Sequence, residues 1–392
     1  MDSKDYMKLD SDYILGTYGR MPAVIDHGDG AYQYDVDGKR YIDFASGIGT
    51  LSLGATNPDW MKAVTGQLSK IQHISNYYYS PVTMLLAEML TNVSSMSKVF
   101  FANSGAEANE GAIKTARKYS SDKYGSGRST IVTFNNSFHG RTVTTLAATG
   151  QERFHKYFSP FTEGFKYTPL NDEKALAEAL TKDVCAVMCE PIQGEGGVNL
   201  MTDEFAAALK SLCREKDILI IADEVQTGIG RTGKMFAYEH FAGFKPDIIT
   251  VAKGLGGGLP IGAFLCNEKT AVVLGKGDHG STFGGNPVCC AGATKVLEII
   301  TAPGFLKSVS EKGEYLMKKL RGIDSQNITE VRGKGLMIGI EIKSSPKEAA
   351  EKALEKGLLV LTAGSDVVRL LPPLTITKEQ IDEGVAILAE VL

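Results

Sequence analysis

Two short apolar runs in this chain stop on opposite charges. Residues 218–222 are Ile-Leu-Ile-Ile-Ala and run into Asp223. Residues 248–252 are Ile-Ile-Thr-Val-Ala and run into Lys253, with the glycine-rich stretch 254–258 behind it. Unbroken runs of this length suit strands buried on both faces, as in a parallel sheet. Such a strand tolerates a charged side chain only at its end. In open α/β sheets the carboxyl ends of the strands border the ligand crevice. An acid and an amine delivered to one crevice can hold the two ends of a pyridine aldehyde. The acid keeps the ring nitrogen protonated, and the amine condenses with the aldehyde.

The flanking sequence agrees with such a sheet. Strand-like runs at 99–102, 130–134, 184–189, 219–222, 248–252 and 263–266 alternate with helical stretches at 106–119, 173–180 and 203–215. That alternation predicts an α/β fold with a mostly parallel sheet and helices on both faces. Upstream, Asp37-Gly38 between residues 32–36 and 40–44 predicts a hairpin. Asn57-Pro58 predicts the start of a helix running toward His73. Beyond Pro287 the pattern becomes α+β: helices at 287–300, 305–321, 346–356 and from 378, with strands near 328–332, 337–342, 358–362 and 367–371. Residues 1–50 are expected to join a smaller C-terminal domain at 289–392, and residues 51–288 to form the large domain.

Composition narrows the function. The 392 residues carry a net charge of −4, without the basic excess of a nucleic-acid binder. Residues 1–12 are polar and acidic, unlike a secretory signal. No apolar stretch approaches the ~18 residues of a membrane span. The six cysteines form no CxxC pair and fall mostly in apolar runs, where they read as buried thiols. These features predict a soluble cytoplasmic protein with no membrane contact and no metal.

Five more segments carry candidate chemistry. Residues 100–108 feed a strand through Asn103-Ser104-Gly105-Ala106 into a helix, which suits an anion such as phosphate or, more plainly, an N-cap. Phe138 and Arg141 follow the strand at 130–134, where a ring can stack on a planar ligand and a guanidinium can take a carboxylate. His139 between them has no partner at metal-ligand spacing. Glu190 and Glu195 follow another strand and could pair with Arg141 or Arg369. Val225 and Gln226 follow Asp223, and Ser281 and Thr282 offer hydroxyls in a glycine-rich turn. Gly228-Ile229-Gly230-Arg231-Thr232-Gly233 also fits a dinucleotide fingerprint, but it lies in mid-chain and five residues separate it from the strand.

Taken together, the order and spacing of these segments resemble the class III aminotransferases, which are pyridoxal 5′-phosphate enzymes of fold type I. The most discriminating stretches are 103–110, 137–141 and 280–283, and the likeness runs from the hairpin near Asp37 to Arg369. It implies a large domain with a seven-stranded sheet and a smaller α+β domain. It implies that Lys253 binds the cofactor's aldehyde and shuttles the proton, that Asp223 pairs with the ring nitrogen, and that Gln226 faces the phenolic oxygen. Phe138 and Val225 would cover the ring's faces, and Ser104, Gly105 and Ala106 would hold its phosphate. Thr282 would reach the phosphate of the partner subunit in a homodimer. Arg141 would bind a substrate carboxylate, Ser281 would contact the acetylated substrate, and Arg369 would bind the α-carboxylate of the amino acid or keto acid. Glu195 would act as a gate, pairing with an arginine for one substrate and leaving it for the other. The implied reaction moves an amino group from N2-acetyl-L-ornithine to 2-oxoglutarate. Other ω-amine donors of the family, or a nicotinamide-dependent oxidoreductase built on residues 228–233, are the alternatives. Tyr13 and Tyr77–Tyr79 are further candidates for lining the pocket.

Overall fold

A computed structural model describes all 392 residues. Its centre is a seven-stranded sheet. Across the sheet the strands run Lys98–Ala102, Gly262–Cys266, Ile248–Val251, Leu219–Asp223, Val184–Cys189, Thr130–Phe134 and Phe165–Thr168. Only Gly262–Cys266 is antiparallel to its neighbours. The interior strands Thr130–Phe134, Val184–Cys189, Leu219–Asp223 and Ile248–Val251 are buried at every residue, as their unbroken apolar sequences require. The edge strand Phe165–Thr168 is half-exposed.

Two further sheets flank this one. Ile25–Asp29, Tyr32–Asp35 and Arg40–Asp43 pair with the C-terminal strand Leu358–Leu359, so the first fifty residues join the end of the chain. The other sheet orders Ile328–Lys334, Met337–Ile342, Val367–Leu370 and Leu361–Ala363. The segment expected as one strand at 358–362 therefore divides at Val360 between two sheets. One continuous cluster of buried hydrophobic residues includes Val187 and Ile249 of the central sheet and Ile338 and Leu370 of the C-terminal one. The two sheets thus pack as one body.

Asn57 caps Pro58–Leu68, and Ser104 caps Gly105–Tyr124. The sequence reading missed Ser3–Tyr13, Pro81–Ser94 and the short hairpin Ile192–Gln193/Asn199–Leu200. No single helix is long and apolar enough to cross a membrane. All six cysteines are free and buried.

Candidate active site

The two charged strand ends open onto one cavity. Asp223 is the last residue of its strand and is in register with Thr250 on the parallel neighbour. Lys253 follows Thr250 by three positions, so both side chains reach the same carboxyl edge of the sheet. Both line a cavity of about 430 Å³, within the range of small-molecule sites. Ser104, Gly105, Ala106, Phe138, Arg141, Val225 and Gln226 line it too.

Asp223 is held on several sides. Its Oδ2 accepts from Asn109 Nδ2 at 2.8 Å and lies 2.8 Å from His139 Nδ1. Its Oδ1 accepts from the Val225 N–H at 3.0 Å. A buried carboxylate needs such partners to offset lost hydration. His139 Nε2 is buried without a partner, so the imidazole proton belongs on Nδ1, facing the acid. Sequence reasoning weighed His139 only as a metal ligand and missed Asn109. Asn109 was within reach of the helical pattern, since it falls one turn after Gly105 and so on the same face.

Lys253 adopts φ +41°, an uncommon backbone for a residue with a side chain. Burial is the largest influence on its amine and lowers its pKa. Glu195 works against that lowering, and Arg369 adds to it. An amine held in this way has more of the neutral form that attacks carbonyls and accepts protons.

The cavity wall opposite begins at the helix Gly105–Tyr124. The Ser104 hydroxyl accepts from the Glu107 N–H at 3.2 Å, so the capping role is real. Gly105 and Ala106 open the helix, and their N–H groups have no intrahelical acceptor. A Cβ on Gly105 would lie 2.6 Å from Val225 Cγ1, so only glycine lets the helix end approach this closely. The ring of Phe138 meets Phe154 edge-on at 5.9 Å. The exposed Arg141 guanidinium lies 4.1 Å over the Phe154 ring and pairs with no carboxylate.

A second acid stands on the far side of Gln226. Arg369, 2% exposed, donates from Nη1 to Glu195 Oε1 at 2.7 Å and to Gln226 Oε1 at 3.0 Å. Burial pushes the Glu195 carboxyl up, but Arg369, Lys253 and Gln226 together outweigh it and leave the pKa below its ordinary value. Arg369 Nε is buried and unpartnered, and Arg369 itself does not line the cavity. Glu190 is differently placed. It accepts from the N–H groups of Phe138 and Gly194, and burial raises it to about 7. Of the two acids, Glu195 alone meets an arginine, and the arginine is Arg369 rather than Arg141.

Ser281 does not line the cavity, but its Oγ accepts from Asn103 Nδ2, which does, at 3.2 Å. Thr282 is exposed and does not line this cavity. Tyr13 and Tyr77–Tyr79 do not line it either. The glycine run 228–233 forms turns, with no helix after it beyond the short 3-10 segment Ala237–His240. Its Arg231 is buried and donates to the carbonyls of Leu336 and Pro372. The run is a junction with the C-terminal part of the chain, and the nicotinamide alternative loses its helix.

Comparison with known proteins agrees with this geometry. The family described as Aminotransferase class-III matches residues 14–392. The chain is 51% identical to an acetylornithine aminotransferase of Haemophilus ducreyi, over all of this chain and 99% of the relative. It is 46% identical to one of Methanocaldococcus jannaschii, over all of this chain and 98% of the relative. Among solved structures, the ornithine aminotransferase of Toxoplasma gondii, in which pyridoxal phosphate was found at partial occupancy, superposes with a TM-score of 0.95 at 33% identity. That match covers 99% of this chain and 93% of the other. With its sheet order, its paired acid and amine, and these likenesses along its length, the chain belongs to the class III aminotransferases.

Proposed function

We propose that this chain transfers the δ-amino group of N2-acetyl-L-ornithine to 2-oxoglutarate, using pyridoxal 5′-phosphate. The products are N-acetyl-L-glutamate 5-semialdehyde and L-glutamate. The observation that carries the reading is Asp223 and Lys253 at the ends of adjacent parallel strands, opening into one cavity.

The residues fit the cofactor. Asp223 is a buried acid for the ring nitrogen, and Lys253 an amine of lowered pKa for the aldehyde. Phe138 and Val225 provide apolar surfaces for the two ring faces, and Gln226 a polar group for the phenolic oxygen. The helix N-terminus at Gly105 and Ala106, with Ser104 beside it, supplies N–H groups and a favourable dipole for phosphate. When bound, pyridoxal phosphate supplies an aldehyde that takes up the amine and a ring that accepts the electrons of the broken C–H bond.

The protein does the rest. Asp223 holds a proton at the ring nitrogen, with Asn109 and His139 fixing its orientation. Lys253, as a free base, removes the proton from the donor's δ-carbon and later returns one to the α-carbon of the new glutamate. Arg141 and Ser281 bind the acetylated end of the donor. Arg369 binds the α-carboxylate of 2-oxoglutarate and glutamate. While the donor is bound, Glu195 neutralises Arg369, and it releases the guanidinium when the keto acid arrives. One pocket thereby serves two substrates of different charge.

The reading includes a homodimer. Thr282 lies on an exposed loop outside its own cavity, which supports a role toward the phosphate held by a second copy. The exposed aromatics Tyr77, Tyr78, Tyr79 and Phe283 favour a covering partner. Six unpaired thiols agree with a cytoplasmic enzyme of arginine biosynthesis.

The test is a donor panel with 2-oxoglutarate as acceptor: acetylornithine, ornithine, succinylornithine and 4-aminobutyrate. The acetylated donor should give the highest kcat/KM for glutamate formation. Preference for free ornithine overturns the acyl specificity, and no glutamate from any donor overturns the reaction.

A further inference from the structure

The loop that carries Glu195 is gripped from the C-terminal sheet at more than one point. Arg332 is in register with Gly339, and Gly339 with Arg369. Directly opposed residues share a face of the sheet. Arg332 and Arg369 therefore project from one face, two strands and roughly 10 Å apart. The glycine-rich loop 194–198 lies across that face. Arg369 takes the Glu195 carboxylate, as described. Arg332 donates from Nε and Nη2 to the Gly197 carbonyl, at 3.1 and 2.8 Å.

Between the two arginines, Val198 packs down onto Gly339. A Cβ there would come within 3.0 Å of Val198 Cβ. The Gly364 N–H adds a bond of 2.9 Å to the Glu195 carbonyl. Arg332 is itself braced, with Nη1 bonded to Glu330 at 2.6 Å and Glu341 at 2.5 Å. The backbone at Glu195 and just beyond it is thus fixed, while the Glu195 side chain is held by one arginine and one amide.

We propose that Arg332 is a positioning residue for the Glu195 switch. By clamping the Gly197 carbonyl to the sheet that bears Arg369, it keeps the loop backbone in place. The exchange between substrates then needs only rotation of the Glu195 side chain. Without the clamp the loop drifts, the Glu195–Arg369 pair weakens, and Arg369 stays charged against the donor. The proposal rests on the reading of Glu195 as the switch.

The experiment compares Arg332→Gln and Arg332→Lys in the holoenzyme. Single-turnover kinetics are followed separately with the donor and with 2-oxoglutarate, and hydrogen exchange is followed at residues 194–198 and Gly364. Arg332→Gln should raise the donor's KM about tenfold, a typical coupling between neighbouring groups. The 2-oxoglutarate KM should stay within about twofold. The Gly364 amide should exchange faster. Arg332→Lys keeps the charge but loses the planar fork, so it should fall between, and it carries the test if the glutamine variant does not fold. In a Glu195→Gln background the Arg332 effect on the half-reactions should vanish. Equal losses in both half-reactions, or unchanged exchange at Gly364, would overturn the proposal. If Glu195→Gln alone moves neither half-reaction, the switch reading falls instead, and faster exchange in the Arg332 variants still reports the clamp.

Discussion

Two acids at this site are built in opposite ways: Asp223 lines the cavity, and Glu195 stands behind Gln226, outside its lining. Asp223 ends a fully buried strand, and its partners are an amide, an imidazole and a backbone N–H. All of them come from the central sheet and the elements packed on it, so Asp223 has no alternative position. Glu195 stands on a glycine-rich loop, and its main partner is an arginine from a different sheet. A single ion pair can be exchanged for a substrate carboxylate, whereas Asp223 would have to break several bonds at once. The contrast shows where this fold places rigidity and where it places choice. On the proposed roles, the group that would hold a proton on the ring is fixed, and the group that would sort substrates is replaceable.

Substitutions can break that comparison. The largest effect belongs to Lys253, the buried amine of the cavity. Lys253→Ala should lower kcat by about 10⁴, the upper range for a positioned acid–base group, as measured by glutamate release. Retained turnover would remove the amine from the chemistry. Asp223→Asn keeps the shape but loses the charge, and should lower kcat by about 10² with both substrates alike. A loss confined to one substrate would contradict its fixed role. Glu195→Gln should act on one side only. The donor KM should rise about tenfold while the 2-oxoglutarate half-reaction is spared, as half-reaction kinetics will show. Uniform losses would make Glu195 a second fixed acid.

A smaller effect sharpens the account of the fixed end. Glu190, buried beside His139 and Asp223, has its pKa raised by burial from 4.5 to about 7. Between those values the folded protein binds more protons than the unfolded chain, so this group's contribution to stability declines as pH rises. Glu190→Gln removes that titration. The melting temperature of the variant should therefore fall less than that of the wild type between pH 5 and pH 8, and parallel curves would refute the assignment.

The fixed acid and the amine were legible in the sequence because a charge at the end of an apolar strand has few places to go. Their supports were not. Asn109 and His139 come from elements 114 and 84 residues away from Asp223, and only the folded sheet brings them to it. The pairing of Glu195 with Arg369 rather than Arg141 spans 174 residues, and the residues alone left both open. Other misses were local. Phe165–Thr168 reads weakly because an edge strand needs little hydrophobic sequence. Ser3–Tyr13 buries nothing, so no apolar stripe marks it, although Asp2 and Asp5 form a capping box. The division at Val360 follows from which sheet edge each half of the segment meets, which no local pattern encodes.

The most direct measurement is a crystal structure of the protein grown with pyridoxal 5′-phosphate. The account predicts electron density continuous from Lys253 Nζ to the aldehyde carbon, Asp223 within hydrogen-bond distance of the ring nitrogen, and the phosphate at Gly105 and Ala106. A ring bound elsewhere, or one that meets Lys253 with its nitrogen turned away from Asp223, would contradict it.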